Sequence, residues 1–261
     1  MLNPPDTNAT ELTNAARLAA WALAAYGASG PLAECGQIAA RIEPWKIYNA
    51  SGLLGWFDGG LVVAIAGTNE ADDWRSNLDA GPYQVGRYAF DHEVDVDERA
   101  KEHLVHTGFL QMASNVMLRL RSMYPYLYTM GPVWICGHSL GGAVASLLPL
   151  LWPGLRAHVV TYGAPRIYHW TDKRNGTASC LTHTRVVAID DLVPQVPLFY
   201  RHPAGGRQIL LRGHGEARHE LTWRDRLRRV LRRIWCLRDP LAGSQASHAM
   251  ALYSRWLRVW R

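Results

Sequence analysis

The chain of 261 residues is 48% hydrophobic, enough to bury a sizeable core as one domain. Its formal charge of +6 is unevenly spread: from Thr222 to Arg261 ten arginines stand against two aspartates, so the remainder is weakly acidic. That pattern, with no basic motif elsewhere, excludes the usual nucleic-acid footprint, and the longest apolar run near the start, Leu18 to Tyr26, is too short to cross a bilayer.

In chain order, "MLNPPDTNATELTNAAR" carries two prolines and no early Lys or Arg, so it lacks the charged start of a secretory signal. A cytoplasmic protein is expected, with export by a signal-peptide-independent route as the alternative. Thr10 to Gly27 has the spacing of an amphipathic helix closed by glycine. "GLLGWFDGGLVVAIAGT" reads as two strands turned at Asp58-Gly59-Gly60, and Leu61 to Ala66 is apolar throughout, as in a strand covered on both faces. From Glu70 to Leu104 the chain turns polar and acidic, which predicts a surface insertion near 70–105 with short helical pieces. Phe109, Met112, Val116 and Leu120 then mark a helix that stops at Pro125. Strand Val133–Cys136, helix Leu140–Leu151, strand His158–Tyr162 and strand Arg185–Ile189 follow. A basic helix is predicted near Arg224–Arg238, and a last helix over Ser247–Trp260. Apolar strands alternating with helices predict an α/β fold with a mostly parallel sheet, in a single domain over residues 1–261. Cys35, Cys136, Cys180 and Cys236 form no metal or redox spacing and read as buried reduced thiols.

The chemistry centres on Gly137-His138-Ser139-Leu140-Gly141. A bare G-x-S-x-G is a weak signal. Here it directly follows an apolar strand and directly precedes the small, apolar run "GGAVASLLPLL", the strand–turn–helix setting of a nucleophile elbow. Such a turn strains the serine backbone and brings strand and helix too close for a Cβ at the flanking glycines. It also places the serine at a helix N-terminus, which favours negative charge on a substrate oxygen. A serine needs a base, and the base an orienting carboxylate. Of Asp172, Asp190, Asp191, Asp225 and Asp239, only Asp190 and Asp191 stand at the end of an apolar strand, where catalytic carboxylates of open parallel sheets belong. Asp172 reads as loop. The candidate bases are His202, His214, His219 and His248; His248 opens a helix whose apolar face (Met250, Tyr253, Trp256, Leu257) would dock on the sheet. His214 and His219 lack a convincing third metal ligand, and His138 is expected to turn away from the site and pack.

These residues resemble the class 3 lipases, the fungal-lipase-like branch of the α/β-hydrolases, from about Leu61 to Leu257. "VVAIAGT" followed by "DDWRSNL", "VHTGF", "GHSLGGA", "VVTYGAPRI" and "DLVPQVP" occur in the family's order, and "HAMALY" fits its terminal histidine followed by a tyrosine. The resemblance implies an α/β-hydrolase fold. It further implies Ser139 as nucleophile, His248 as general base and acid, Asp191 rather than Asp190 as its orienter, and an oxyanion hole from Thr68 and the Leu140 N–H. Asn77 stands where the family commonly has an aspartate that holds the oxyanion residue. Trp74 and Leu78 are the main apolar contacts of the segment corresponding to the lid, which argues against strong interfacial activation.

The implied function is hydrolysis of lipid carboxylic esters, of triacylglycerol lipase or phospholipase type, through an acyl-serine intermediate with no metal or cofactor. One alternative is an esterase or thioesterase on soluble short-chain substrates. Another is a non-catalytic membrane-binding protein on a hydrolase fold. In the Arg224–Arg238 helix, Leu227, Val230, Leu231, Ile234 and Trp235 share one face and arginines fill the others, as suits either a solvated surface helix or an anionic membrane surface.

Overall fold

Successive residues of a strand face opposite sides of a sheet, and here each side meets its own apolar core. A computed structural model describes residues 2, 8–27, 32, 42–47, 50–57, 60–67, 81–129, 131–172, 180–213, 216–218, 222 and 248–258. Among them run strands β1 (Ile42–Ile47), β2 (Ala50–Phe57), β3 (Gly60–Ile65), β4 (Pro82–Gln84), β5 (Leu104–His106), β6 (Val133–His138), β7 (Ala157–Tyr162), β8 (Tyr168–His169), β9 (Thr182–Ala188), β10 (Tyr200–Arg201), β11 (Arg207–Gly213) and β12 (Glu216–Arg218). The helices are α1 (Asn8–Ala24), α2 (Val85–Asp91), α3 (Thr107–Met123), α4 (Leu140–Leu151) and α5 (Met250–Leu257).

The main sheet has the order β1-β2-β3-β6-β7-β9-β11-β12. Its centre, β3 to β11, is parallel, and antiparallel β1, β2 and β12 close the two edges. Val63, Ile65, Ile135 and Val159 enter the core beneath α3 and α4, while Val62, Ala64, Cys136 and Val160 enter the core beneath α1 and α5. Each such side chain, once fully buried, contributes about 1.5–3 kcal/mol of transfer free energy. That two-sided burial is why these strands read as unbroken apolar runs rather than alternating ones. Helix α1 is pinned by polar contacts as well: buried Glu11 accepts from the Thr184 hydroxyl (2.6 Å) and pairs with Arg207 (3.5 Å), and the Tyr162 hydroxyl donates to the Ala15 carbonyl (2.5 Å).

A second sheet, β10-β8-β5-β4, joins the expected insertion to the body of the domain. The insertion's short helical pieces are there, and many of its residues are exposed, Phe90 among them, while Val85, Tyr88, Val94, Val96 and Ala100 are buried and anchor it to the core. Asp172, expected in a loop, is buried; its Oδ2 accepts from the Leu104 N–H (3.1 Å) and lies 3.0 Å from His103 Nδ1, tying the start of β5 to the end of β8. β8 and β10 follow the carboxyl ends of β7 and β9, so this small sheet stands at the edge of the main sheet where open α/β folds place their ligands.

The last helix is shorter than expected, with Ala249 as its N-cap and His248 just ahead of it. Cys136 is a buried thiol and Cys180 a half-buried one; burial raises both thiols, Cys180 to about 11, which keeps them out of the nucleophilic form. Cys35, Cys236, residues 70–80 and the basic segment Arg224–Arg238 lie outside the described residues. Among the described residues, no helix is long and apolar enough to cross a membrane.

Candidate active site

The turn between β6 and α4 holds Ser139 at φ 55°, ψ −127°, a left-handed backbone that side-chain-bearing residues rarely adopt. Hydrogen bonds hold it there: the Ser139 N–H donates to the Tyr162 carbonyl at the end of β7 (2.9 Å), and the Ser139 carbonyl accepts from Gly142 (2.9 Å) and Ala143 (3.2 Å). The flanking glycines are required by contact. A Cβ at Gly137 would lie 2.2 Å from the Gly141 carbonyl oxygen, and one at Gly141 would lie 2.3 Å from that of Ile65. Strand and helix therefore meet at backbone distance, and Leu140 opens α4 with an amide that has no carbonyl within the helix to bond. Such a donor suits an oxyanion forming at the serine.

The carboxylate and the histidine are brought together behind it. Asp191 is fully buried, just past β9. Its Oδ1 accepts from the Val193 N–H (2.9 Å), and its Oδ2 accepts from the Tyr253 hydroxyl (2.5 Å) and from His248 Nδ1–H (2.8 Å). Asp191, and not the adjacent Asp190, makes these contacts. With Nδ1 donating to a carboxylate, the His248 ring carries its lone pair on Nε2, which is the form a general base requires. That Nε2 is buried and has no hydrogen-bond partner.

The expected contact between the Ser139 hydroxyl and this ring is accordingly not made as a hydrogen bond. Catalytic hydrogen bonds of this kind are often long before substrate binds and tighten in the complex. The two groups nonetheless share one anchor. Gly163 follows the Tyr162 carbonyl that holds Ser139, and a Cβ on it would lie 2.7 Å from Asp191 Oδ2, 3.0 Å from the Tyr253 hydroxyl and 3.1 Å from His248 Cε1. Its φ of 57° suits glycine for the same position.

Two residues differ from their sequence reading. Tyr253, placed on the apolar face of the last helix, is buried there, but its hydroxyl also accepts from the Ala188 N–H (3.0 Å) while it donates to Asp191. Its place five residues beyond His248 on a docking helix was the available signal. His138 does more than pack. Its Nδ1 is 2.7 Å from the Tyr26 hydroxyl, its Nε2 is 2.6 Å from the His248 carbonyl, and the two imidazole centroids are 4.6 Å apart. Burial, and then neighbouring His248, hold His138 well below the usual imidazole range, so it is neutral.

Of the other candidate bases, half-buried His202 is engaged with the Pro194 carbonyl (2.7 Å), while His214 and His219 lie outside the described residues. So do Thr68, Trp74, Asn77 and Leu78. Among the described residues, no group of His, Cys, Asp or Glu could hold a metal ion.

A mostly parallel sheet, a strained serine between a strand and a helix, and an Asp–His pair delivered after a later strand and beside the last helix define an α/β-hydrolase. Residues 62–201, more than half of the chain, match the family model of the class 3 lipases, and the chain belongs to that family. It is a serine hydrolase acting on the carboxylic esters of lipids. No curated protein sequence matches it. Among solved structures, lipase II from Rhizopus niveus is 19% identical over 83% of this chain and 88% of that one, with a TM-score of 0.62. The triacylglyceride lipase of Rhizomucor miehei is 20% identical over 80% and 82%, with a TM-score of 0.58. A triacylglycerol lipase whose catalytic centre is described as a serine protease triad is 20% identical over 82% and 84%, with a TM-score of 0.56. At these identities the likeness is one of fold.

Proposed function

We propose that Ser139 is the nucleophile, His248 the general base and acid, and Asp191 its orienting carboxylate, in the hydrolysis of lipid esters presented at an anionic membrane surface. Ser139 attacks the ester carbonyl while its proton passes to His248 Nε2. The tetrahedral oxyanion is received by the N–H of Leu140 together with Thr68. His248 then protonates the departing alcohol, and a water activated by the same ring releases the acid from the acyl-serine. The observation that carries this reading is the Asp191–His248 bond of 2.8 Å with Nε2 buried and, among the described residues, unpartnered, a base poised to take a proton.

The lipid surface is supported by two features. Trp170, Leu198 and Phe199 are 52%, 61% and 68% exposed, and they meet where the Trp170 N–H donates to the Phe199 carbonyl (2.9 Å), on the small sheet at the carboxyl edge. Exposed apolar side chains at these adjoining backbone positions, with the exposed Arg201 next in the chain to Tyr200, suit an interface between water and acidic headgroups. The arginines of 224–238 would each contribute about 1 kcal/mol near such a surface.

The test is hydrolysis of a triglyceride, lysolipid and phospholipid panel by the pure protein, together with fluorophosphonate labelling. Ser139→Ala should abolish labelling and lower turnover by ~10⁵–10⁶. Labelling that survives in Ser139→Ala would reject Ser139 as nucleophile. The membrane reading fails if vesicle binding is indifferent to anionic lipid, or to charge reversal at Arg228, Arg229, Arg232 and Arg233.

A further inference from the structure

A half-buried polar chain centred on buried His138 takes no part in the steps above. The Gly67 N–H donates to the Tyr26 hydroxyl (2.9 Å), the hydroxyl meets His138 Nδ1 (2.7 Å), and His138 Nε2 meets the His248 carbonyl (2.6 Å). Its protons are placed by elimination. A carbonyl can only accept, so His138 Nε2 carries the hydrogen; Nδ1 is then a bare lone pair, and the Tyr26 hydroxyl must donate to it while accepting from Gly67. The chain has one direction at each link and no spare donor.

Each end of this chain reaches a different part of the proposed machinery. Gly67 immediately precedes Thr68, and a Cβ on it would lie 3.0 Å from Ser139 Cβ, so the end of β3 lies against the nucleophile. The His248 carbonyl belongs to the base itself, in the two-residue approach to α5. Between them stands His138, the residue bonded covalently to Ser139. Tyr26 enters from just beyond α1, the helix that Glu11 and Ala15 pin to the sheet.

We propose that His138 and Tyr26 are positioning residues: through one imidazole they set the height of the His248 ring and the place of Gly67, just past β3, relative to Ser139. The inference rests on the assignment of Ser139 and His248 made above. A leucine or phenylalanine would fill the same volume but could bond neither end. The titratable groups facing His138 are Tyr26, His248 and Tyr253, whose ring centroid is 5.9 Å away, with Asp191 beyond His248. A proton on Nδ1 would remove the lone pair to which the Tyr26 hydroxyl donates, leaving that O–H hydrogen without its acceptor. It would also put a positive charge beside the ring that becomes cationic when it takes the serine proton. Burial disfavours that state, and it likewise raises Tyr26 to about 12, so its hydroxyl keeps the proton it donates.

The experiment compares wild type with Tyr26→Phe, His138→Gln, His138→Leu and the double variant Tyr26→Phe/His138→Leu. It measures kcat and KM on a monomeric short-chain ester, the rate of fluorophosphonate inactivation, and thermal unfolding. Misplacing reacting groups by a fraction of an ångström to an ångström costs up to about a hundredfold. We expect His138→Leu to lose about that in kcat with KM unchanged, and Tyr26→Phe to lose about tenfold. His138→Gln, whose amide can still donate to the His248 carbonyl, should recover most of the loss. The double variant should be no worse than His138→Leu alone, because both changes cut one chain. Folded variants that turn over and react like wild type would overturn the proposal, as would a Gln variant no better than Leu. If His138→Leu does not fold, the kcat of Tyr26→Phe decides. A wild type that does not react with fluorophosphonate would instead sink the assignment of Ser139.

Discussion

Gly163 and Tyr253 carry much of the site without touching the serine. Gly163 leaves the space that Asp191, Tyr253 and His248 fill. In Gly163→Ala the methyl must displace a carboxylate oxygen at 2.7 Å, and the left-handed backbone adds about 1–2 kcal/mol of strain. The expected outcome is a folded but destabilised protein whose rate of fluorophosphonate inactivation falls at least about a hundredfold. Tyr253→Phe removes a donor from Asp191 and an acceptor from the Ala188 N–H, both buried. Leaving the buried Ala188 N–H unsatisfied costs about 1–3 kcal/mol, while Asp191 Oδ2 keeps its bond from His248, so denaturant titration should register a loss within or above that range. The glycine was legible as part of "YGAPR", yet its use depends on three side chains that the sequence does not bring to it. The tyrosine was legible only as an apolar-face residue, because its ring and its hydroxyl do separate things.

Among the elements, α4 was read to its observed bounds, and α1, α3, β2, β3, β6, β7 and β9 to within a few residues, since long periodic or unbroken apolar runs leave little choice. Strands β4, β5, β8 and β10 have two or three residues each and no period to read. Their sheet exists because long-range contacts assemble it, and the His103–Asp172 pair, 1% exposed on both sides, is central to that assembly. Leaving a buried donor without its acceptor costs about 1–3 kcal/mol. Asp172→Ala takes the acceptor from both His103 Nδ1 and the Leu104 N–H, so it should destabilise the protein by roughly 2–6 kcal/mol in denaturant titration. Proteolysis under native conditions should open first near β5 and β8 while the main sheet stays protected. Uniform loss across the fold, or no loss, would remove Asp172 from this role.

Four of the described imidazoles are held in neutral form. Burial lowers His138, His202, His158 and His183, the last to about 3. With the folded value below the unfolded one, folded and unfolded chains are alike neutral above the usual imidazole value of about 6.5. Below it only the unfolded chain takes up the proton, so stability is full above that pH and is lost as pH falls towards the folded value. Unfolding free energy should be flat from about pH 7 to about pH 8, where the raised thiols are still protonated in both states, and should decline between about pH 6.5 and 5, above the carboxylate range, by more than the ~1.4 kcal/mol per pH unit of one histidine. His183→Gln should remove one proton's share of that slope, as read by guanidinium titration at stepped pH.

What the sequence determined by itself is the elbow: the strand, the strained serine, its glycines and α4 are contiguous in the chain, so local sterics and hydrophobic periodicity suffice. By residue pattern alone it left two aspartates and four histidines open. Resemblance to a family narrowed them, and the structure brings Asp191 and His248 together from positions 57 residues apart. Only tertiary structure could place His138 against Tyr26, 112 residues away, and against the His248 carbonyl, 110 residues away. A hydrogen bond is decided by where two atoms end up within a few tenths of an ångström. Composition and spacing say nothing of that until both cores have packed and carried their segments to the same edge of the sheet.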